Sequence, residues 1–508
     1  MIWAARLLSF FTGLLSLSQE ILWVRFAGFA YSGAPQAFGI ILGLYLLGIA
    51  LGAGIGKRYC RGEANLFQVA GILLVIAAAF DMLLPWFAAG AFSYGALAGG
   101  LTLAVSVIIT SLFKSKIFPI AHHLGSSANN GKIGSSVSKV YFANIIGSTL
   151  GPLVTGFVLL QMLTLQQCFM LMAGLTLATA IYCFMVGGVR HCRRYLVAGV
   201  AVTVALCVLP GSLIKTLAVN TGSKDGPFKD AIENRYGIIH LLTSPDGDDF
   251  VYGGNAYDGR INIDFMRNSN WISRLYMLAV LKPQPRRVLI IGMSAGSWTR
   301  VVSAFPGVEQ IDVVEINPGY VELIRRYDQV RPLLEDPRIA IHFDDGRRWL
   351  KRNPDETYDL VVMNTTFHWR AYITMLLSRE FLDVLKSHMN PGAVLAYNST
   401  YSWDAFRTAR EVFDNIWCYG NFVIAGDGIV LPSEKEAIDR LAALRLDNRP
   451  LVDLSRPEVA ARLKECMCNF EPYSAVENRA GRPLEVITEQ NMLTEYRFGK
   501  SIFTVISD

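Results

Sequence analysis

Charged side chains are scarce in this chain, and acidic ones are scarcest in its first half. Asp, Glu, Lys and Arg make up 18% of the 508 residues, whereas soluble proteins contain roughly a quarter. Residues 1–219 contain 3 acidic and 13 basic side chains, and residues 220–508 contain 39 and 34. This distribution excludes an ordinary cytosolic enzyme and predicts a basic, apolar membrane domain followed by a soluble one. Because the soluble half is acidic, we expect no nucleic-acid partner.

Cysteine is also sparse, with eight residues in the chain. Five of them lie in the apolar half, where a free thiol behaves as a small hydrophobic group. The other three are Cys418, Cys466 and Cys468, and neither a CxxC pair nor a histidine spacing typical of zinc sites is present. The sequence therefore predicts no metal site. It leaves two alternatives for these three cysteines: a disulfide from Cys418 to Cys466 or Cys468, or buried free thiols.

Seven apolar stretches precede Asn220, each long enough for a helix that crosses a bilayer, which needs about 20 residues. They cover residues 3–29, 35–56, 66–88, 92–113, 140–163, 166–188 and 195–213. The first is too long for a cleaved signal peptide, so we expect it in the mature protein. Glycines in the second let helices approach closely, at Gly43, Gly48, Gly52, Gly54 and Gly56. Residues 1–219 are therefore predicted to form a multi-pass α-helical membrane domain in the lipid bilayer.

Basic residues cluster in alternate loops between these stretches. They follow the second, fourth and sixth stretches, at Lys57, Arg58 and Arg61; Lys114, Lys116, Lys132 and Lys139; and Arg190, Arg193 and Arg194. By the positive-inside rule these loops and the N-terminus are cytoplasmic. Seven crossings then place the C-terminal half outside, which is the periplasm for a bacterial inner membrane.

Three ionisable residues lie within or at the ends of the apolar stretches, namely Glu20, Arg25 and Asp81. Such groups are costly in a membrane and are functional candidates by default. Two interpretations stay open: an internal pair of Glu20 and Arg25 that orients the first helix, and a substrate or ion site.

The composition changes after Asn220 to a polar, turn-rich linker. Strand-like runs at 237–242, 250–253 and 261–263 predict a small β subdomain within residues 220–284. In residues 285–508, strands at 288–291, 311–315, 339–343, 360–363 and 394–397 alternate with helical segments. This alternation predicts a Rossmann-like α/β domain with a methyltransferase-type parallel sheet covered by helices on both faces.

Residues that suit a nucleoside follow three of these strands. The first strand ends in Gly292-Met-Ser-Ala-Gly296, where glycines allow a sharp turn and a close approach of the backbone to a ligand. The second ends in Glu315, which can accept hydrogen bonds from both ribose hydroxyls. Asp345 and Gly346 follow the third strand, where a carboxylate can accept from an adenine amino group. Each residue alone is typical of a strand-end turn or a helix cap, but the three in order favour nucleoside binding.

Several motifs within residues 230–430 resemble one family. They are Arg286-Arg-Val-Leu-Ile-Ile-Gly292, Val313-Val-Glu315-Ile-Asn-Pro318, Glu335-Asp-Pro-Arg338, Asp345-Gly346-Arg347 and Tyr358-Asp359-Leu-Val-Val. These motifs closely resemble the spermidine synthases, or polyamine aminopropyltransferases. The apolar half resembles membrane domains that are fused to some bacterial members.

This resemblance implies a sulfonium nucleoside as donor and co-substrate, either S-adenosylmethionine or its decarboxylated form. The donor-binding residues that it implies are Gly292, Gly296, Glu315 and Asp345 with Gly346. Two upstream motifs, Glu233-Asn-Arg-Tyr236 and Asp258-Gly-Arg-Ile-Asn262, resemble the family's N-terminal β subdomain and add Tyr236 and Asn262 to this set.

Four positions depart from the family pattern. Ala295 stands where the family carries an aspartate that holds the donor's amino group and disfavours a donor with a carboxylate. Asn364 stands where the family has the aspartate that helps deprotonate the attacking amine. Trp271-Ile-Ser273 replaces the acceptor-binding Tyr-x-Glu of the family. A diamine acceptor is a dication that needs such carboxylates, so their loss argues against putrescine as the acceptor.

Residues close to these positions supply a replacement chemistry. His368 can act as a base near neutral pH, and Arg370 adds a planar cation suited to a carboxylate or a phosphate. We predict that Asn364 orients the reacting group, that His368 is the base, and that Arg370 pairs with the donor's carboxylate or with an anionic acceptor. The alternative stays open that His368 and Arg370 are loop residues packed by Trp369 and Tyr372.

The leading interpretation is a membrane-anchored transferase that alkylates an amine or a membrane-associated acceptor, by aminopropyl, aminocarboxypropyl or methyl transfer. One rival is a catalytically degraded nucleoside- or polyamine-binding module fused to a membrane transport domain, and another is a true spermidine synthase with unusual acceptor residues. The expected location is a bacterial inner membrane, and a homodimer stays open. S-Adenosylmethionine is made in the cytoplasm, so this chemistry favours an inward C-terminal half, opposite to the loop charges.

Overall fold

The computed structural model describes residues 2–126, 133–188, 211–222 and 224–497, together with residues 197, 200 and 201. Within these residues the chain divides into two compact units. The first contains the described residues up to Lys224 and the segment Glu233–Ile238. The second contains Asp225–Ile232 and the described residues from Ile239 onward.

The first unit consists of apolar helices. They are α1 (Ile2–Ala30), α2 (Gln36–Gly56), α3 (Leu66–Ala91), α4 (Ala96–Ser115), α5 (Ile117–Ser126), α6 (Ile133–Val154), α7 (Leu165–Gly187) and α8 (Leu213–Thr221). In the described part of the chain, 6 helical stretches are long and apolar enough to cross a membrane. They coincide with the first six apolar stretches of the sequence, which are confirmed as helices. The predicted seventh, 195–213, lies largely outside the described residues, and membrane insertion stays a prediction.

Three glycines of α2 explain how this helix packs on α4. Gly48, Gly52 and Gly56 are spaced by four residues and therefore share one face of the helix. A Cβ atom at any of them would collide with the main-chain oxygen of Ile108, Leu112 or Lys116. An added Cβ at Gly43 or Gly54 would meet no atom within 4 Å. The close approach of α2 to α4 thus depends on Gly48, Gly52 and Gly56, and not on Gly43 or Gly54.

An ion pair is buried among these helices. The Lys114 ammonium on α4 lies 2.9 Å from the Asp81 carboxylate on α3, and their side chains are 1% and 0% exposed. The hydroxyl of Thr176 on α7 donates to the same carboxylate at 3.1 Å. The placement of Lys114 in a cytoplasmic loop is wrong, because α4 continues to Ser115 and buries this side chain. Lys114 therefore carries no information about sidedness.

A small antiparallel sheet follows the helices. Its strands are β1 (Phe228–Asn234), β2 (Gly237–Leu242), β3 (Phe250–Gly253) and β4 (Ala256–Arg260), in the order β1-β2-β3-β4. The predicted strands at 237–242 and 250–253 are confirmed. The predicted strand at 261–263 is wrong, because the strand ends at Arg260 and the side chain of Asn262 accepts a hydrogen bond from the backbone N–H of Asp264 at 2.8 Å. Such a bond forms a turn in place of a strand.

The second unit is built on an eight-stranded sheet in the order β14-β10-β11-β9-β8-β5-β6-β7. Its strands are β5 (Arg287–Ile291), β6 (Gln310–Glu315), β7 (Ile339–Phe343), β8 (Tyr358–Met363), β9 (Met389–Asn398), β10 (Asn415–Tyr419), β11 (Phe422–Gly426) and β14 (Phe470–Pro472), while β12 (Arg445–Leu446) pairs with β13 (Arg449–Pro450). The strands β5 to β9 pair in parallel, which confirms the five predicted strands. The antiparallel strands β10, β11 and β14 extend the sheet beyond the sequence prediction.

Helices cover both faces of this sheet. They are α9 (Ser273–Leu281), α10 (Ser297–Val302), α11 (Gly319–Ile324), α12 (Gly346–Arg352), α13 (Thr374–Leu377), α14 (Arg379–Ser387), α15 (Trp403–Val412), α16 (Glu434–Ala442), α17 (Pro457–Met467), α18 (Tyr473–Ala480) and α19 (Leu493–Tyr496). Alternate residues of β5 enter two separate buried clusters, with Val288 and Ile290 in one and Leu289 and Ile291 in the other. A strand that is buried on both faces is typical of a Rossmann-like parallel sheet, as expected from the sequence.

The strand order of the large sheet reverses at β5. The strand β5 pairs with β6 on one side and with β8 on the other. The chain therefore leaves β5 in one direction and later returns to the opposite side. In open α/β sheets this reversal of strand order is the place where ligands bind.

Candidate functional site

The loop after β5 contains two glycines that no other residue could replace without strain. Gly292 and Gly296 have φ angles of +87° and +77°, in the left-handed region that favours glycine. A Cβ at Gly292 would lie 2.7 Å from the main-chain oxygen of Asn364, and a Cβ at Gly296 would lie 2.8 Å from Leu333. The loop therefore depends on glycine for both its conformation and its packing. Its role in nucleoside binding stays a prediction.

Glu315 lies beside this loop at the end of β6. Its carboxylate accepts hydrogen bonds from the backbone N–H of Met293 at 2.7 Å and of Asn317 at 2.8 Å. The side chain is buried, and this burial raises the pKa of Glu315 to about 7. The predicted ribose acceptor is thus positioned by the glycine loop itself. Each carboxylate oxygen has two acceptor sites, so these backbone bonds leave acceptor capacity for a ligand.

Asp345 and Gly346 begin the helix α12 after β7. The carboxylate of Asp345 caps this helix by accepting a hydrogen bond from the backbone N–H of Arg348 at 2.9 Å. This is the helix-cap role that the sequence analysis gave as the alternative to nucleoside binding. A Cβ at Gly346 would lie 2.8 Å from Ile291, so the glycine lets α12 pack closely on β5. Contact of either residue with adenine stays a prediction.

The two upstream candidates have different environments. Tyr236 belongs to the first unit and is half exposed, and the guanidinium of Arg235 lies 4.7 Å from its ring centre. Asn262 belongs to the second unit and is buried. Its backbone N–H donates to the hydroxyl of Ser297 at 3.2 Å, immediately after the glycine loop. Asn262 thus supports the segment that follows the loop.

A cavity of about 340 Å³ opens beyond the carboxyl ends of β8 and β9. Aromatic and amide side chains dominate its wall, which consists of Phe250, Tyr257, Asp258, Arg260, Asn270, Trp271, Arg274, Trp298, Asn364, Thr365, Thr366, Phe367, Asn398, Thr400, Tyr401 and Asn421. Of the predicted catalytic residues, Asn364 belongs to this wall. Among the described residues, no group of three or more His, Cys, Asp or Glu side chains is arranged to hold a metal ion.

His368 lies next to the cavity wall and contacts Thr400, which belongs to it. Its Nδ1 atom lies 2.9 Å from the main-chain oxygen of Thr400, and its backbone N–H donates to the Thr400 hydroxyl at 2.8 Å. A carbonyl oxygen accepts but does not donate, so the hydrogen bond assigns the proton to Nδ1. Nε2 then carries the lone pair that a base requires.

Arg370 is partly buried and lies near Asp258. Its Nη1 donates to the hydroxyl of Thr366 at 2.8 Å. Burial lowers the pKa of Arg370, and the Asp258 carboxylate opposes this effect. The Tyr320 hydroxyl donates to Asp258, whose own pKa is raised by burial. Arg370 is absent from the described cavity wall, and the nearby Asp258 carboxylate favours its charged form.

Arg274 on α9 is a cavity residue that the sequence analysis missed. Its guanidinium donates to the main-chain oxygens of Trp271 at 3.0 Å and Asn270 at 2.9 Å, and to the side chain of Asn421 at 2.7 Å. Burial lowers the pKa of Arg274 to about 10. A sequence signal was available, because Arg274 is a lone charge in an otherwise apolar helix, directly after the altered acceptor motif.

Four residues of the cavity wall have left-handed backbone conformations although none is glycine. The φ angles are 56° at Asn270, 52° at Trp271, 48° at Thr400 and 71° at Tyr401. Such conformations cost free energy and tend to cluster at functional sites. Trp271 is 50% exposed and Tyr401 61%, so two large rings face solvent at this cavity.

Known proteins resemble the part of the chain that contains this site. Residues 275–417 match the family model of the spermine/spermidine synthase domain. A polyamine aminopropyltransferase of Agathobacter rectalis is 42% identical over 116 residues, which cover 23% of this chain and 40% of that protein. Polyamine aminopropyltransferase 2 of Streptomyces coelicolor is 26% identical over 408 residues, which cover 75% of this chain and 71% of that protein. A crystal structure of spermidine synthase with the transition-state analogue AdoDATO is 19% identical, covers 50% of this chain and 88% of that chain, and has a TM-score of 0.40.

These matches concern part of each protein. The chain spans from 39% to 42% of the length of several curated spermidine synthases, from Datura stramonium and Solanum lycopersicum among others. The matched residues 275–417 contain the glycine loop, Glu315, Asp345 and Asn364. The apolar N-terminal region fits a branch of the family with a fused extra domain. Residues 275–417 of this chain are therefore similar to the spermine/spermidine synthase domain.

Proposed function

We propose that this protein is a membrane-anchored transferase that moves an alkyl group, foremost an aminopropyl group, from a sulfonium nucleoside to an amine. The observation that carries the proposal is the position of Glu315 beside the glycine loop, where the strand order reverses at β5. Nucleosides bind at this place in folds of this class.

The residues at this place fit the adenosine part of such a donor. Gly292 and Gly296 keep the backbone of the loop bare of side chains, and Glu315 presents a carboxyl group beside it. When bound, the donor supplies an alkyl carbon attached to a positively charged sulfur. Both S-adenosylmethionine and its decarboxylated form have this group, and Ala295 removes the family carboxylate that disfavours the former.

The cavity beside Asn364 would hold the acceptor amine. The amine nitrogen forms a bond to the alkyl carbon while the carbon–sulfur bond breaks and its electron pair stays with sulfur. Asn364 orients the amine, and the proton released from nitrogen passes to Nε2 of His368. The bond from His368 Nδ1 to Thr400 supports this role, because it fixes the ring and the tautomer.

The helices of the first unit would anchor the protein in a bacterial inner membrane. Their length and apolar character support this location. The alternating basic loops favour an outward second unit, whereas a donor made in the cytoplasm favours an inward one. A reporter fused after Asp508 that is active in a single compartment distinguishes the two orientations.

Product analysis tests the proposed transfer. The full chain in detergent is incubated with putrescine or 1-aminobutane and with each of the two donors. Release of methylthioadenosine together with an alkylated amine supports transfer of an aminopropyl or aminocarboxypropyl group, and release of adenosylhomocysteine indicates methyl transfer. Tight binding of methylthioadenosine without release of either product from any donor would favour the rival, a nucleoside-binding module fused to a membrane domain.

A further inference from the structure

Arg274 is a buried cation on the cavity wall, and its partners are neutral. Its side chain is 4% exposed. Its guanidinium donates to two main-chain oxygens and one amide oxygen, and it lies 4.4 Å from the ring centre of Phe422 and 5.1 Å from that of Trp298. Among the described residues, no carboxylate pairs with it. A buried charge without a counterion is costly, so this arrangement calls for an explanation.

The other two charged residues of the described cavity wall are Asp258 and Arg260. Asp258 accepts a hydrogen bond from the Tyr320 hydroxyl, and burial raises the pKa of this carboxyl group, which favours its neutral form. Arg260 donates to the carboxylate of Asp246 at 2.8 Å. Within the described wall, Arg274 is therefore the cation that has no carboxylate partner. A carboxylate on a bound ligand would supply the counterion that this guanidinium lacks.

The guanidinium of Arg274 is also held ready for a ligand. A guanidinium has five N–H donors, and the three hydrogen bonds to Asn270, Trp271 and Asn421 leave donors to spare. The rings of Trp298 and Phe422 also contact it, and their centres lie 5.1 Å from each other. The indole N–H of Trp298, itself buried, has no hydrogen-bond partner among the described residues. A fixed planar guanidinium with spare donors is suited to a carboxylate.

We propose that the cavity binds a carboxylate group of a substrate through Arg274. The inference rests on the proposed transferase function and specifies its substrate class. The carboxylate has two possible sources: an acceptor amine that bears one, such as an amino acid, or S-adenosylmethionine, which keeps the carboxylate that its decarboxylated form lacks. Either source supplies the counterion that Arg274 lacks in the protein.

Three linear amines of equal carbon number test the acceptor arm. They are γ-aminobutyrate, 1-aminobutane and putrescine, which end in a carboxylate, a methyl group and a second amine. Calorimetry on the full chain in detergent, saturated with methylthioadenosine, measures their affinities. We expect γ-aminobutyrate to bind about tenfold or more tightly than putrescine, as a charge-assisted pair predicts. The donor arm compares S-adenosylmethionine with its decarboxylated form, each without an amine.

Variants of Arg274 identify the residue responsible. Arg274→Gln should remove the preference for the carboxylate ligand in whichever arm shows it, and Arg274→Lys should retain part of it. Affinity for 1-aminobutane should stay within about twofold, since this ligand lacks the charge that Arg274 would recognise. Arg286→Gln, at an exposed arginine outside the cavity, is the matched control and should behave as the unchanged protein.

Two results would overturn the inference. In the first, the wild-type protein binds putrescine more tightly than γ-aminobutyrate and the decarboxylated donor more tightly than S-adenosylmethionine. This measurement needs no variant, so it does not depend on whether Arg274→Gln folds. The other is an unchanged carboxylate preference in a folded Arg274→Gln variant. Failure of the proposed function has a separate signature, namely carboxylate binding at Arg274 without any product from either donor.

Discussion

The backbone N–H of Met293 donates to the carboxylate of Glu315 at 2.7 Å, so the end of β6 holds the glycine loop that follows β5. Burial raises the pKa of this carboxyl group to about 7. In the folded protein the group is therefore protonated at mildly acidic pH, where an exposed glutamate is already ionised. The protonated form offers fewer acceptor sites to ribose hydroxyls than the carboxylate does.

We expect the affinity for methylthioadenosine to rise as the pH rises from about 6 to about 8, because the ionised form of Glu315 is the one that binds. Calorimetry of the full chain across this range measures the effect. Glu315→Gln should bind more weakly and lose the pH dependence, whereas Glu309→Gln, at an exposed glutamate, should keep both properties. An affinity of the unchanged protein that does not vary across this range would contradict the assignment.

Replacing His368 tests its role as base. His368→Ala should lower kcat by about 10²- to 10⁴-fold, the usual contribution of a positioned general base. The affinity for methylthioadenosine should stay the same, because His368 lies outside the glycine loop. Tyr372→Phe, at a 77% exposed ring in the same loop, should leave turnover intact, and normal turnover of His368→Ala would exclude the role.

Alanine substitutions at two glycines with similar backbone angles distinguish the cost of backbone strain from the cost of steric collision. Gly296 and Gly392 have φ angles of +77° and +70°, but an added Cβ collides with Leu333 and Ile324 at Gly296 and meets nothing within 4 Å at Gly392. Gly392→Ala should lower the free energy of unfolding by about 1 kcal/mol through strain alone. Gly296→Ala should cost about 1–3 kcal/mol more through overpacking and should weaken nucleoside binding. Urea unfolding of the two variants measures the difference, and equal losses would show that the loop has room to adjust.

The buried pair of Asp81 and Lys114 predicts non-additive stability changes. Lys114→Met leaves the Asp81 carboxylate without its cation and should lower the stability by about 3–5 kcal/mol. Adding Asp81→Asn should recover part of this loss, because the uncompensated charge disappears. Thermal unfolding in detergent micelles measures the cycle, with Lys139→Met at an exposed residue of α6 as the control. Additive losses would mean that the two charges do not depend on each other.

The sequence predicted the parallel part of the large sheet because its strands are apolar runs bounded by turn residues. The antiparallel strands β10 and β11 were missed although Tyr419-Gly-Asn-Phe422 is a short turn between apolar runs. Trp417 and Cys418 do not alternate with polar residues as in a half-exposed hairpin. Strands buried inside a mixed sheet lack that pattern.

The sequence predicted the part of the candidate site that lies at the ends of the parallel strands. It did not predict the part that depends on contacts between distant segments of the chain. Gly292, Gly296 and Glu315 follow strand ends, so their proximity follows from the topology of a parallel sheet. Arg274 could not be connected with Asn421 from the sequence, since 147 residues separate them. The pairing of Lys114 with Asp81 was hidden for a related reason, because hydropathy alone does not show where α4 ends.

The turn between β10 and β11 brings Asn421 to Arg274, while the loops after β5 and β6 hold the nucleoside candidates. The cavity at Arg274 and the glycine loop thus depend on separate segments of the chain. Changes in the β10–β11 turn or in α9 can alter the cavity without disturbing the glycine loop. Substitutions in these two segments should therefore have separable effects, on the cavity in one case and on the loop in the other.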